Sequence, residues 1–478
     1  MSTHASIRSR ISALCLSAAP LILSVLVLVG CGDTSHQSNN TGTTTGSAFV
    51  IGTDAPLASV VSFSTTIQSV NAIDASGNTA SLVSGTPTVD FARFNGLQTL
   101  IDMNDVPADT YTQIAVTFSS ATIGYLQTGS GAPSIQTMPA TFVDSSGNAE
   151  STYTYTETLA NPLIVAASGP VGLHVDFRLD KSIQVTNGQI TGNVTPTLQV
   201  NAVGPSDAGA YIDEFIAGVV NPTASSQSFT IQGPHGRVFT VNVSGSTEWD
   251  NGDTLSDLTS TSIVQISGIL DRADSTIDAD EVAILSQNSF YAAGQITYVQ
   301  PSSSAASNFQ LYVRGTLPAS GDGVTDGSLA TVDLSGSEKY FIYWMHNPLT
   351  EFLFNSSTLL PGQHVSVGGT IAGAASDSAV SVKRIVLRNW GFNGTLVASS
   401  VNSGGDNFQM NINGFAGLLV PGQPVTVYVG AGTKFRDGFT QLSDLTSATN
   451  IRVVGLLIKD PTSGNSVILA RYVDDMNN

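Results

Sequence analysis

The feature that most restricts this chain is a threefold internal repeat across its C-terminal half. Three segments carry the same features in the same order. Each opens on a glycine within a strand-like run: Ala217-Gly218-Val219-Val220, Ala293-Gly294-Gln295-Ile296 and Asn393-Gly394-Thr395-Leu396. A Ser/Asn-rich turn and an aromatic-led strand follow: Ser228-Phe229-Thr230-Ile231, Asn308-Phe309-Gln310-Leu311 and Asn407-Phe408-Gln409-Met410. A triplet comes next, read as Thr247-Glu248-Trp249, Thr350-Glu351-Phe352 and Thr433-Lys434-Phe435. Each segment closes on a strand ending in glycine, a hairpin and a last strand: Ile263 to Gly268 with Glu281 to Leu285, His364 to Gly369 with Val382 to Leu387, and Ile451 to Gly455 with Val467 to Val473. Self-similarity at this spacing means one supersecondary unit used three times. Five to seven short strands in fewer than about 100 residues suit a small β-barrel or β-sandwich, whose closure removes exposed edges. The repeats are predicted at 211–287, 288–388 and 389–476.

A different β-rich segment precedes them. Short runs rich in β-branched and aromatic residues alternate with turns such as Asp74-Ala75-Ser76-Gly77-Asn78 and Asp144-Ser145-Ser146-Gly147-Asn148. Period-2 spacing over Tyr111 to Phe118 puts Ile114, Val116 and Phe118 on one face and Tyr111, Gln113, Ala115 and Thr117 on the other. Strands about every ten residues predict an antiparallel β-sandwich over 47–204. The fold class is therefore all-β: an N-terminal antiparallel sandwich followed by three small barrels or sandwiches.

The first thirty residues read differently. Arg8 and Arg10 precede an apolar run from Ile11 to Val29, interrupted by Ala18, Ala19 and Pro20, and Leu28-Val29-Gly30-Cys31 ends it. A positive head, an apolar middle and small residues before a cut are the order of a secretory signal. Leu28, Val29, Gly30 and Cys31 resemble the lipobox of bacterial lipoproteins. That resemblance implies cleavage before Cys31, a diacylglyceryl thioether on its sulfur and an acylated new amine. Each acyl chain contributes about 0.8 kcal/mol per buried CH₂, and two or three chains anchor lastingly without a spanning helix. Gly32 follows where an Asp would imply inner-membrane retention, so the resemblance implies lipid anchoring at the outer membrane or cell surface. Residues 31–46 then read as a flexible tether, reaching on the order of 20 Å as a coil and near 55 Å extended.

Composition narrows the partners. The net charge is −19 and charged residues are 11% of the chain, well below the usual ~25%. Nucleic acid needs a Lys/Arg footprint, so it is not expected as a partner. Cys15 and Cys31 are the two cysteines. The first leaves with the signal and the second carries lipid, so no disulfide is predicted in the mature chain.

The N-terminal domain also carries a resemblance. The Asp54-Ala55-Pro56 turn, the run Val106-Pro107-Ala108-Asp109-Thr110-Tyr111-Thr112-Gln113-Ile114 and the strand Gly172-Leu173-His174-Val175-Asp176-Phe177-Arg178-Leu179 resemble an uncharacterised bacterial lipoprotein domain. That domain is associated with transthyretin-like or carbohydrate-binding-like sandwiches; here Asp109-Thr110 replaces the glycine-containing corner before Tyr111. The repeats resemble a second uncharacterised domain found in tandem in exported bacterial proteins. Neither resemblance implies an active site.

Chemistry-bearing motifs are sparse. His4, His36, His174, His235, His346 and His364 show no metal-ligand spacing, and no nucleophile elbow or phosphate loop is visible. Asp253, Asp257, Asp278, Asp280 and Glu281 could pair as glycosidase carboxylates, yet they sit in turns and hairpins. The run Asp271 to Glu281 is acidic like a calcium loop but lacks its glycine. No catalytic residue, metal or cofactor is predicted. The densest aromatic stretch, Tyr340-Phe341-Ile342-Tyr343-Trp344, offers Tyr340, Tyr343 and Trp344 as a platform for sugar rings. The sequence thus predicts a non-catalytic, lipid-anchored envelope protein, not an enzyme, that binds or displays for a glycan or protein partner. The alternatives are a passive β-repeat spacer and an unrecognised envelope hydrolase.

Overall fold

In the computed structural model, the described residues run from 45 to 475, apart from 56–58, 95–98, 128–131, 167–170, 188, 204–210, 234–236, 250–252, 272–274, 286–289, 302–304, 318–323, 343–351, 373–378, 437 and 448. The chain divides into two units, Met1–Gly42 and Thr43–Asn478, and the described residues belong to the second. The protein is all-β.

The N-terminal domain is a sandwich of a four-stranded and a nine-stranded sheet. The smaller sheet runs Leu198–Val203, Val171–Arg178, Thr45–Ala55, Thr99–Pro107; the larger is built around the long strands Val60–Asp74 and Asp109–Gln127. Phe63, Phe91, Phe118 and Phe177 fill the space between the sheets, with ring centroids 4.9 to 6.4 Å apart. Three departures from the sequence reading occur. The first strand begins at Thr45, inside the expected tether, because Thr45 and Gly46 pair with Pro107 and Val106. That strand runs parallel to Val171–Arg178 rather than antiparallel, since the two are distant in sequence and no hairpin joins them. Tyr111, expected on the solvent face, is buried. The pairing slips between Tyr111 and Gln113 and between Ile73 and Asp74. A one-residue slip exchanges faces, so Tyr111 joins Ile114, Val116 and Phe118. Its hydroxyl donates to Pro107 O at 2.9 Å, and burial raises its pKa, with Asp109 and Asp74 adding to the effect.

The three repeats share one topology. Repeat 1 uses Tyr211–Ser225, Ser228–Gln232, Val238–Asn242, Ile263–Asp271 and Thr276–Ile284. Repeat 2 uses Phe290–Gln300, Asn308–Leu317, Leu329–Asp333, His364–Ala372 and Ala379–Leu387. Repeat 3 uses Trp390–Leu396, Asn407–Ile412, Val425–Arg436, Asn450–Lys459 and Ser466–Asp475, which close into a barrel. In every copy the third strand pairs with the fifth in parallel. Every copy also has a register shift at the same glycine of the fourth strand: Gly268, Gly369 and Gly455. A Cβ there would stand 2.3 Å from Asp278 O in repeat 1 and 2.2 Å from Leu469 O in repeat 3. The bulge brings backbone against backbone, which accounts for the glycines; the strands continue past them to Asp271, Ala372 and Lys459 instead of ending there as the sequence suggested.

One part of the repeat alignment is corrected. The third strand is continued by Glu248–Trp249 in repeat 1 and Lys339–Ile342 in repeat 2. Glu248 and Trp249 pair with Glu281 and Val282, Lys339 and Tyr340 with Arg384 and Ile385, and Lys434 and Phe435 with Tyr472 and Val473. The middle triplet is therefore Glu338-Lys339-Tyr340. Thr350 and Glu351 lie outside the described residues. A shared turn explains the exchange. Ser244 N donates to Thr247 Oγ1 at 2.8 Å and Gly430 N to Thr433 Oγ1 at 2.9 Å. The Glu338 carboxylate takes the same place, accepting from Ser335 N and, at 3.0 Å, from Gly336 N.

The domains do not sit as separate beads. Leu456, Ile458, Val467 and Leu469 of repeat 3 belong to the core of repeat 2. Leu100 and Val203 of the N-terminal domain belong to the core of repeat 1. Val61 and Leu126 join Tyr312, Phe415 and Leu419, tying the sandwich to repeats 2 and 3. This two-sided burial accounts for the nearly unbroken apolar run of the last strand.

Candidate functional site

The residues singled out by sequence fall into three groups. Leu28, Val29, Gly30 and Cys31 lie outside the described residues, as do Tyr343 and Trp344 of the aromatic stretch. Tyr340 is described and partly buried. It occupies the register position of Trp249 and Phe435, packs on the repeat 2 core and meets Phe354 edge-on at 5.7 Å. Burial, aided by Glu338, pushes its hydroxyl up to about 12. Its neighbour Phe341 lies under Arg384, whose guanidinium carbon is 4.9 Å from the ring centre.

The acidic hairpin of repeat 1 is used structurally. Asp278 Oδ1 accepts from Asn242 Nδ2 at 2.8 Å. Asp280 accepts from Tyr472 OH at 3.2 Å and from Arg471 Nη2 at 3.4 Å. Glu281 Oε1 is paired with Arg471 Nη1 and accepts from Asn389 Nδ2 at 3.5 Å. Among the described residues, no group of three or more His, Cys, Asp and Glu side chains could hold a metal ion.

These contacts belong to a buried polar seam that sequence reading missed. Arg388 Nη2 donates to Gln265 Oε1 at 3.2 Å, and Tyr291 OH reaches the same oxygen at 2.9 Å. Arg314 donates to Gln295 Oε1 and, at 3.0 Å, to Ala92 O in the sandwich. Its guanidinium carbon lies 5.1, 4.9 and 5.8 Å from the ring centres of Tyr312, Trp390 and Phe415. Trp390 also stacks on His364 at 4.6 Å. Tyr312 OH donates to Val61 O at 2.8 Å, and burial raises its pKa. Gln363 Nε2 donates across to Leu457 O at 3.1 Å. The junctions between the repeats, and that of repeat 2 with the sandwich, thus have directional bonds in a dry setting, where such bonds are strong and their loss is costly; between the sandwich and repeat 1 the bond is the exposed pair Arg237–Asp105 at 3.1 Å. The signal available in sequence was an arginine within an apolar strand, as in Ile468-Leu469-Ala470-Arg471 or Ile385-Val386-Leu387-Arg388.

Burial opposes ionisation of two carboxylates, with opposite net results. Burial pushes the Glu281 carboxyl up, against the pull of Arg471 and Arg388. Burial also opposes ionisation of Asp474, but Arg436 at 2.8 Å and Arg452 at 3.1 Å outweigh it and hold that carboxyl below the usual range. A depressed folded-state pKa gives stability that is present above the unfolded value of about 3.9 and lost as pH falls through the folded value. Replacing Asp474 by Asn is therefore expected to cost about 3 kcal/mol at neutral pH. Urea unfolding should give a wild-type-to-variant difference that is constant from about pH 7 to 5 and shrinks below about pH 4. A difference independent of pH would rule out this assignment.

The faces formed by the second and third strands differ among the repeats. In repeat 2 this face carries Tyr312 and Arg314 and is covered by the sandwich. In repeat 1 it presents Thr230, Gln232, Val238 and Thr240, paired across the two strands. In repeat 3 it presents Gln409 opposite Thr426 and Asn407 opposite Tyr428, while Phe408 and Met410 point into the barrel.

Comparison with known proteins gives families without assigned chemistry. Residues 45–195 match the family described as "Domain of unknown function (DUF4382)", and residues 217–283 match that described as "Domain of unknown function (DUF5666)". No curated protein matches the chain. Among solved structures, "MbnP from Methylosinus trichosporium" is 11% identical, with 28% of this chain and 75% of that chain covered at a TM-score of 0.14. "drosophila Unr CSD456" is 10% identical, with 55% and 97% covered and a TM-score of 0.14. Overlaps this loose carry no argument about fold or activity.

Proposed function

We infer that this chain is a non-catalytic lipoprotein of the bacterial outer envelope, held by lipid on Cys31, whose interlocked β domains bind a glycan or an envelope protein. The observation that carries the reading is the combination of a lipobox and polar tether with a body whose domains are mutually buried. Cys31 stands at the cut position of Leu28-Val29-Gly30, and two or three acyl chains there supply lasting attachment. Beyond the tether, Glu281–Arg471, Arg314 with Ala92 O and the core shared by repeats 2 and 3 make the body move as one piece. A body of mutually buried domains suits display and capture at a membrane surface.

The shared core also favours a second reading, a passive spacer. The two differ in whether the body has a ligand. The anchoring part is tested by feeding an alkyne-tagged palmitate to expressing cells and separating the extract with a cloud-point detergent. Wild type should take up label and enter the detergent phase, whereas Cys31→Ser should remain unlabelled and stay aqueous. Label or detergent partitioning retained by Cys31→Ser would refute the anchor.

A further inference from the structure

We propose that repeat 3, together with Phe352 of the adjoining part of repeat 2, forms a shallow platform for a neutral oligosaccharide, with Tyr428 and Phe352 as its aromatic floor and Gln409 and Thr426 as its polar rim. The proposal rests on the binding role above and names the surface and ligand class that would carry it. Tyr428 and Phe352 are both half-buried, each with part of its surface packed on the repeat 2 core. Their ring centres are 6.4 Å apart and the planes meet at 55°. Two tilted, partly buried rings at this spacing make a shallow apolar floor. Next to Phe352 in the chain, Leu353 is 62% exposed, which extends the apolar surface.

The rim is set by strand alternation. Phe408 and Met410 point inward and are fully buried, so Asn407 and Gln409 point outward. Pairing puts Gln409 beside Thr426 and Asn407 beside Tyr428. Asn407 Nδ2 donates to Gly405 O at 2.7 Å, which fixes that amide at the edge. A floor of ring faces with amide and hydroxyl neighbours fits the two aspects of a pyranose: apolar C–H faces that stack on aromatic rings, and equatorial hydroxyls that both donate and accept. The four platform side chains are uncharged and the chain as a whole carries −19, so a neutral sugar is matched and an anionic one is repelled.

The other two copies show why the third is chosen. In repeat 2 the corresponding face is occupied by the sandwich through Tyr312 and Arg314. In repeat 1 it has Thr230 and Thr240 but no aromatic side chain. Repeat 2 also pairs Gln310 with Thr331 beside Tyr312, but there the aromatic is fully buried under the sandwich; in repeat 3 the aromatic beside the Gln–Thr pair is only partly buried.

The test uses the full chain in micelles of a polyoxyethylene detergent, which carries no sugar. Maltohexaose, cellohexaose and N-acetylchitohexaose are titrated calorimetrically, with hexagalacturonate as the anionic comparison. At least one neutral hexasaccharide should bind at millimolar concentration or below, and more tightly than hexagalacturonate. Tyr428→Ala and Gln409→Ala should each weaken it about tenfold, with Thr230→Ala in repeat 1 unchanged. Gln409 is a rim residue, so its variant keeps the test decisive should Tyr428→Ala disturb folding. No binding by wild type, tighter binding of hexagalacturonate, or equal affinity in wild type and Gln409→Ala would overturn the platform. Palmitate labelling at Cys31 is independent of these outcomes, so failure here is distinct from failure of the anchor.

Discussion

Arg471→Ala is expected to destabilise the folded body by roughly 3–5 kcal/mol, although it removes a side chain from the last strand of the last repeat. Glu281 lies in repeat 1, and both side chains are almost fully buried. Alanine leaves the carboxylate in a dry junction with Asn389 and the charge of Arg388. A buried charge deprived of its partner costs far more than the intact pair contributes. The sign of the pH dependence follows from the carboxyl already being pushed up by burial. A raised folded-state pKa means that the folded form takes up the proton first, so stability is retained at low pH and lost as pH rises through that value. The deficit of Arg471→Ala should therefore be larger at pH 7 than at pH 5. Glu281→Gln in the same background should restore part of the loss. Urea unfolding of the three proteins at both pH values measures this. A cost under 1 kcal/mol at pH 7, or a deficit that grows on acidification, would mean that the pair does not hold repeats 1 and 3 together.

The second large effect is expected at Arg314. Its guanidinium is bonded to Gln295 and to Ala92 O of the sandwich, and is surrounded by the rings of Tyr312, Trp390 and Phe415. Arg314→Ala removes charge-assisted bonds and leaves a void among three aromatic rings, at a cost of about 3 kcal/mol. The loss should be directional. Hydrogen exchange should quicken around Val60 to Phe94 of the sandwich and in the second strand of repeat 2, while the core of repeat 1, which Arg314 does not touch, keeps its protection. Arg314→Lys keeps the charge but loses the planar stacking and the fork of donors, so it should recover less than half of the difference. Uniform protection in Arg314→Ala would mean that the sandwich is held by its apolar contacts alone.

How far the sequence could be read depended on whether the cause of a feature was local. Ile114, Val116 and Phe118 were legible because alternation is a property of one strand. Tyr111, three residues earlier, was not, since the slip that turns it inward is set by pairing with two neighbouring strands. The repeat was legible from glycines and aromatics whose positions are fixed by bulges and cores. Its middle triplet was misaligned because a glutamate at 338 does the work of a threonine hydroxyl at 247 and 433. The turn Ser335-Gly336-Ser337, which copies Ser244-Gly245-Ser246, was the truer marker. Arg314, Arg388 and Arg471 passed unread because their partners lie in other domains, and no local pattern reveals a partner 100 or more residues away. The aromatic stretch drew attention to Tyr340, which packs on the repeat 2 core; the pair Phe352 and Tyr428, partly buried on the same core, is assembled from two repeats and has no signature in either.

The account turns on what the sulfur of Cys31 carries. Intact mass analysis of the protein extracted from its membrane, with fragmentation of the first peptide, reads this directly. The expected result is an N-terminal cysteine at position 31, acylated at its amine and bearing diacylglycerol through a thioether. A free thiol at Cys31, or a first residue upstream of it, would contradict the account.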